Sequence, residues 1–173
     1  MMTDNLLTER PWSSDVAGII YAVNGRPGLT TVATLQDGAD AETLAAAPDL
    51  LQALKDSMEG LEQLFQKLSP CALRNAVLEA RKCADSAIAR ARVGYPRSMA
   101  REHRWTVNPQ LPPPEREANA LLLAAAEDLW DAAMKAYAAL AGHVDNLEVV
   151  GSLSKAIART GRVVRSEWRE RAR

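Results

Sequence analysis

DAETLAAAPDLLQALKDSMEGLEQLFQKL, residues 40–68, sets Leu44, Ala47, Leu51, Leu54, Met58, Leu61, Phe65 and Leu68 at alternating steps of three and four. That is the spacing of one apolar face on an α-helix, so the stretch reads as a long amphipathic helix with one side to bury. Its opening, LAAAPDLLQAL (Leu44–Leu54), returns as LAAAEDLWDAA (Leu123–Ala133). Carried onward, the same register puts Leu123, Ala126, Trp130, Ala133, Tyr137, Leu140, Val144 and Leu147 in the equivalent places. The tetrapeptide AIAR also occurs twice, at Ala87–Arg90 and Ala156–Arg159. The chain therefore holds a diverged internal repeat, with the connection inside the later copy about ten residues shorter.

Working outward from the first helix, Asp37 or Asp40 is placed to cap it, and Pro48 must be accommodated within it. A proline inside a helix removes a hydrogen bond and clashes with the preceding turn, at a cost of ~3 kcal/mol. Either the helix kinks there, or a short helix ends and Pro48 opens the next at its first position. The second copy has Glu127 in that place, which predicts one continuous path and one bent path.

Ser69 and Pro70 read as the cap and first residue of a second helix with the stripe Leu73, Ala76, Val77, Ala80, Ala84, Ala87, Ile88 and Ala91, stopped by Gly94. Charge alternates in step: residues 1–70 carry 4 basic and 10 acidic side chains, 71–104 carry 8 and 3, 105–150 carry 2 and 7, and 151–173 carry 7 and 2. An acidic first helix beside a basic second favours an antiparallel hairpin, although exposed pairs contribute only ~0.2–1 kcal/mol each.

Upstream, VAGIIYAV (16–23) and LTTVATL (29–35) are two β-branched, apolar runs separated by NGRPG, the pattern of a β-hairpin. Residues 1–15 show no period and read as a tail or a lead-in strand. Downstream, residues 94–114 hold five of the nine prolines and read as a basic linker between repeats. A third helix is expected from Pro114 or Glu115 to Ala141, with Gly142 as its stop. A fourth, capped by Asp145, would bear Val149, Val150, Leu153, Ile157, Val164 and Trp168.

The expected architecture is mainly α. It has a tail (1–15), an N-terminal β-hairpin (16–37), a helical repeat (38–93), the linker (94–114) and a second helical repeat with a basic C-terminal helix (115–173), the two helical hairpins forming a four-helix arrangement. The total of 21 basic and 22 acidic residues gives no global pull toward polyions. There is no signal-peptide pattern and no run of 18 apolar residues, and Cys71 and Cys83 on one helix would be ~18 Å apart, beyond disulfide reach. The expectation is a cytoplasmic protein that does not enter a membrane. An exposed hairpin edge and a stripe ~37 Å long predict a homodimer.

The words AETLAAAPDLLQALK, after a hairpin and before ALRNAVLEARKCADSAIARAR, resemble a group of small phage and prophage proteins. Those proteins carry an A-x-x-L-x-A-A-A-P-[DE]-L-L-x-A-L motif between a β-hairpin and an alanine- and arginine-rich helix. The resemblance covers about residues 16–92, with 115–165 similar to a second copy lacking the proline and preceded at most by HRWTV. It implies a phage or prophage origin and brings no catalytic residues. Some small phage proteins of this size antagonise host defence systems by binding their components.

Chemistry-bearing patterns are sparse. His103 and His143 lack ligand spacing, no CxxC, nucleophile-elbow, phosphate-loop or dinucleotide motif is present, and Glu42, Asp49, Glu127 and Asp128 stand at spacings of solvated charge. Cys71 reads as a small core-facing residue. No enzyme, cofactor or metal is expected.

Candidate partner contacts are Arg97, Arg101, Arg104 and Trp105 in the linker and Arg159, Arg162, Arg165 and Arg169 on a basic stripe. Arginine and tryptophan bury much area for few rotors and are frequent interface anchors. The competing readings are a tryptophan that plugs the core and a basic helix that faces its acidic repeat partner. The function expected is a non-enzymatic phage protein that engages a host protein or complex and antagonises host defence, in the manner of an anti-CRISPR protein. The alternatives are a nucleic-acid accessory protein using the arginine-rich C-terminus, a nucleotide-sequestering oligomer and a phage assembly factor.

Overall fold

The computed structural model describes residues 11–15, 17–22, 30–35, 41–94, 105–143 and 147–160. Four short strands, β1 (Trp12–Ser14), β2 (Ile19–Ala22), β3 (Thr30–Leu35) and β4 (Trp105–Val107), form one antiparallel sheet in the order β1-β2-β3-β4. The helices are α1 (Ala41–Ala45), α2 (Ala47–Lys67), α3 (Ala72–Val93), α4 (Pro113–Ala124), α5 (Ala126–Leu140) and α6 (Leu147–Ala158). The fold is mainly α, as expected.

The predicted hairpin is β2 and β3, whose connecting turn lies outside the described residues. It begins later than Val16: the Asp15 carboxylate accepts the backbone N–H groups of Ala17 and Ile19 at 3.0 and 2.9 Å, and Gly18 takes φ +77°. This side-chain turn folds β1 back onto β2, so Trp12–Ser14, within the stretch read as a tail or lead-in strand, form a strand with Trp12 wholly buried, while residues 1–10 lie outside the described residues. On the other side β4, inside the stretch assigned to the linker, pairs with β3 through Leu35↔Trp105, and Asn108 extends the ladder to Thr31 and Val32. The hairpin is thus interior to the sheet, and the edge on which the dimer expectation rested belongs instead to β1 and β4.

The first stripe is confirmed: Leu44, Ala47, Leu51, Leu54 and Leu61 are buried, and Met58, Phe65 and Leu68 are partly buried against the same core. Ala126, Ala133 and Leu140 are buried in the second copy, but α5 ends at Leu140 with Gly142 at φ +93°, and Leu147 at the start of α6 is exposed. α3 begins at Ala72, two residues later than Ser69-Pro70 implied, with Cys71 as its extended cap. Cys71, Leu73 and Ala76 are exposed rather than core-facing. The cause is length: α2 and α3 have 21 and 22 residues, α5 and α6 have 15 and 12, so the α2–α3 tip extends past its neighbours.

The expectation of one straight and one bent path is corrected. α1 and α2 break at Ala46 (φ −80°, ψ −8°), and α4 and α5 break at the equivalent Ala125 (φ −88°, ψ −2°), although only the first has a proline beside it. Both are bends in a continuing path. Leu50 donates to the Ala46 carbonyl and Leu129 to the Ala125 carbonyl, each at 2.9 Å. What the two places share is Ala46-Ala47 and Ala125-Ala126, all at most 1% exposed, and each short first helix packs across the repeats, α1 on α5 and α4 on α2. Small side chains at these buried positions allow neighbouring helices to come close. Counting each bent path as one, the bundle has four helices among the described residues, and its core is continuous with the buried face of the sheet.

Candidate functional site

Helix directions follow from the contacts. Arg90 near the end of α3 pairs with Asp128 at the start of α5 at 2.7 Å, and Cys83, about two turns earlier in α3, accepts a hydrogen bond from Lys135 at 3.1 Å, so α3 and α5 run antiparallel. Arg81 of α3 pairs with Glu62 near the end of α2, so α2 and α3 are antiparallel as well. Arg159, just after α6, pairs with Asp49 at the start of α2. The starts of α2 and α5 and the ends of α3 and α6 therefore gather at one end of the bundle, where α1 meets β1 and β2 and α4 meets β4.

The Arg159 guanidinium also donates to the Trp12 carbonyl at 2.6 Å, tying α6 to β1. Two open clefts flank it: one of about 500 Å³ between α2 and α6, lined by Asp49, Gln52, Ser152 and Lys155, and one of about 290 Å³ bordered by Ser13, Ser14, Glu42 and Ala45. Arg159 closes one AIAR word and Arg90 the other, and each meets the aspartate of the other repeat's helix: Arg90 with Asp128, Arg159 with Asp49. Asp49 and Asp128, expected to be simply solvated, are thus partners of arginines that hold equivalent places in the two repeats. The signal was present, since both lie at equivalent positions of the two copies.

Of the eight partner-contact candidates, two fall among the described residues. Trp105 is half-buried in β4 against the core, and Arg159 makes the two contacts given above. Both therefore have intramolecular roles. Arg97, Arg101, Arg104, Arg162, Arg165 and Arg169 lie outside the described residues. The chain leaves the described bundle toward them from Gly94 and Thr160, and both points are at the end just defined. Within-repeat attraction between acidic and basic helices is present in Arg81 with Glu62, but the buried-side pairs at the bundle end cross between repeats.

Lys135 holds its proton more tightly than an ordinary lysine, mainly because the Cys83 sulfur accepts its hydrogen bond and in spite of partial burial. Both cysteines are free thiols, and His143 follows the Gly142 stop with its backbone N–H on the Leu140 carbonyl. Among the described residues there is no group of three or more His, Cys, Asp or Glu side chains placed to hold a metal, and no helix long and apolar enough to cross a membrane.

Fold and contacts together define a small protein built by internal duplication, two helical repeats closed on each other and capped by a sheet. Residues 1–95 match the model of the family described as Salmonella phage P22 protein Y8K6, and the chain belongs to that family of phage proteins. The match ends one residue past Gly94, where α3 stops, so it takes in β1–β3 and the first repeat. No curated protein and no solved structure matches the chain.

Proposed function

We propose that this phage-family protein acts without catalysis, by engaging a host protein or protein complex and thereby blocking a host defence system. The observation that carries the reading is that the chain departs from the bundle at one end, at Gly94 and at Thr160, into its two arginine-rich stretches, 95–104 and 161–173. Both stretches are joined to that same end of the bundle, and their arginines are the charge complement of an acidic partner surface. The bundle itself supplies the fixed scaffold, its own cross-repeat charges being engaged by Asp49 and Asp128.

The test is a pull-down from host lysate with the tagged full chain and with a chain ending at Thr160. The cut belongs there, because Ala156 and Ile157 are buried and Arg159 braces β1, so removal of those residues would damage the fold. The reading expects a discrete protein retained after nuclease treatment and weakened by the truncation. Capture that disappears with nuclease, or that rises steeply as salt is lowered, would replace it with nucleic-acid binding.

A further inference from the structure

We infer that the face repeat 1 turns toward repeat 2 accepts the second half of another copy of this chain in place of the chain's own. The argument rests on reciprocity. In a two-fold association residue i of one unit meets residue j of the other, and j meets i. Arg90 of repeat 1 meets Asp128 of repeat 2, and Arg159 of repeat 2 meets Asp49 of repeat 1, where Asp128 is the repeat equivalent of Asp49 and Arg159 that of Arg90. The helix contacts obey the same exchange: α3 on α5 answers to α6 on α2, α2 on α3 answers to α5 on α6, and α2 lies against α5 between them. One chain thus reproduces the inside of a symmetric dimer.

The family match adds an independent observation, since it covers a unit that ends with α3 and holds only one of the two halves. The apolar face of that unit, with Leu51, Leu54 and Ala84 buried, is covered in this chain by repeat 2. The contacts themselves do not depend on which chain supplies the second half. The match is between unlike halves, because Lys135, which reaches Cys83, has Asp56 at its equivalent position. Association between copies therefore proceeds by exchange of second halves.

Complementary charge reversal in full-length chains tests this. One variant carries Arg90→Asp and Arg159→Asp, the other Asp49→Arg and Asp128→Arg. Each alone faces like charges at both contacts and should melt several degrees below the native protein. Refolded together, the two should copurify one to one at twice the 18.8 kDa of a single chain, because exchange makes all four contacts complementary. A chain carrying all four reversals restores both pairs internally and should recover at least half of the lost melting temperature. If the co-refolded variants elute separately at single-chain mass, the inference is overturned. It is equally overturned if the fourfold variant melts as low as its parents, because the contacts would then not be interchangeable.

Discussion

Gly94 and Gly142 hold the same office, ending a helix with positive φ at +85° and +93°, yet their surroundings differ. A Cβ on Gly94 would come within 2.9 Å of the Leu121 side chain, whereas one on Gly142 would meet open space. Gly142→Ala should therefore cost about 1 kcal/mol from backbone conformation alone, and Gly94→Ala more, by chemical denaturation of each. Equal losses would show that Leu121 moves aside freely. Lys135 offers a pH test. Its pKa in the folded protein lies above the 10.5 of the unfolded chain, because Cys83 accepts its hydrogen bond. A raised pKa stabilises fully below pH 10.5 and is lost as pH climbs through the folded value. The gap in melting temperature between the native protein and Lys135→Met should accordingly be fullest below pH 10.5 and narrow above it. The cysteine was legible in the sequence only as a small helix residue, since its lysine stands 52 positions away on another helix.

At the scale of elements, Pro48 is the instructive case. It invited the view that proline bends the first path, but the bend at Ala125 occurs with Glu127 in the equivalent place. Pro48→Ala should therefore leave the helical circular dichroism and the break at Ala46 unchanged, and a chemical-shift record of one uninterrupted helix over 41–67 would contradict this. The helices themselves were readable because a 3.6-residue period is written locally: Leu54 is buried and Gln52 exposed as that period requires. Leu54→Ala should cost about 2–5 kcal/mol and Gln52→Ala almost nothing. The strands β1 and β4 were less readable, because three residues carry little period and their pairing is decided by distant partners, Ala22 for Trp12 and Leu35 for Trp105. The same pairing gives Trp105 a structural duty, so Trp105→Ala should lower the melting temperature by several degrees. The exposure of Leu73 was hidden for a related reason, since a stripe on one helix does not announce where its partner stops.

For the whole molecule, duplication was visible in LAAAPDLLQAL, LAAAEDLWDAA and the two AIAR words, but how the copies meet was not. Local spacing pairs each arginine with an acidic helix without saying whose, and the sequence alone favoured the helix of the same repeat. The fold instead crosses them, which draws both helix ends, both bends and the sheet to one end of the bundle. Six of the eight candidate contact residues lie outside the described residues, and Arg159 is part of the framework itself. A chain ending at Thr160 should keep its helical signal and melt near the native temperature, while one ending at Ser154 loses Ile157 and Arg159 and should melt well below it. The crossing itself is tested most directly by double-mutant cycles to alanine on four pairs, read by denaturant unfolding. Arg90 with Asp128 and Arg159 with Asp49 should each couple by about 0.5–1 kcal/mol, and the same-repeat pairs Arg90 with Asp49 and Arg159 with Asp128 by less than about 0.3 kcal/mol. Coupling within repeats and none across them would contradict the arrangement.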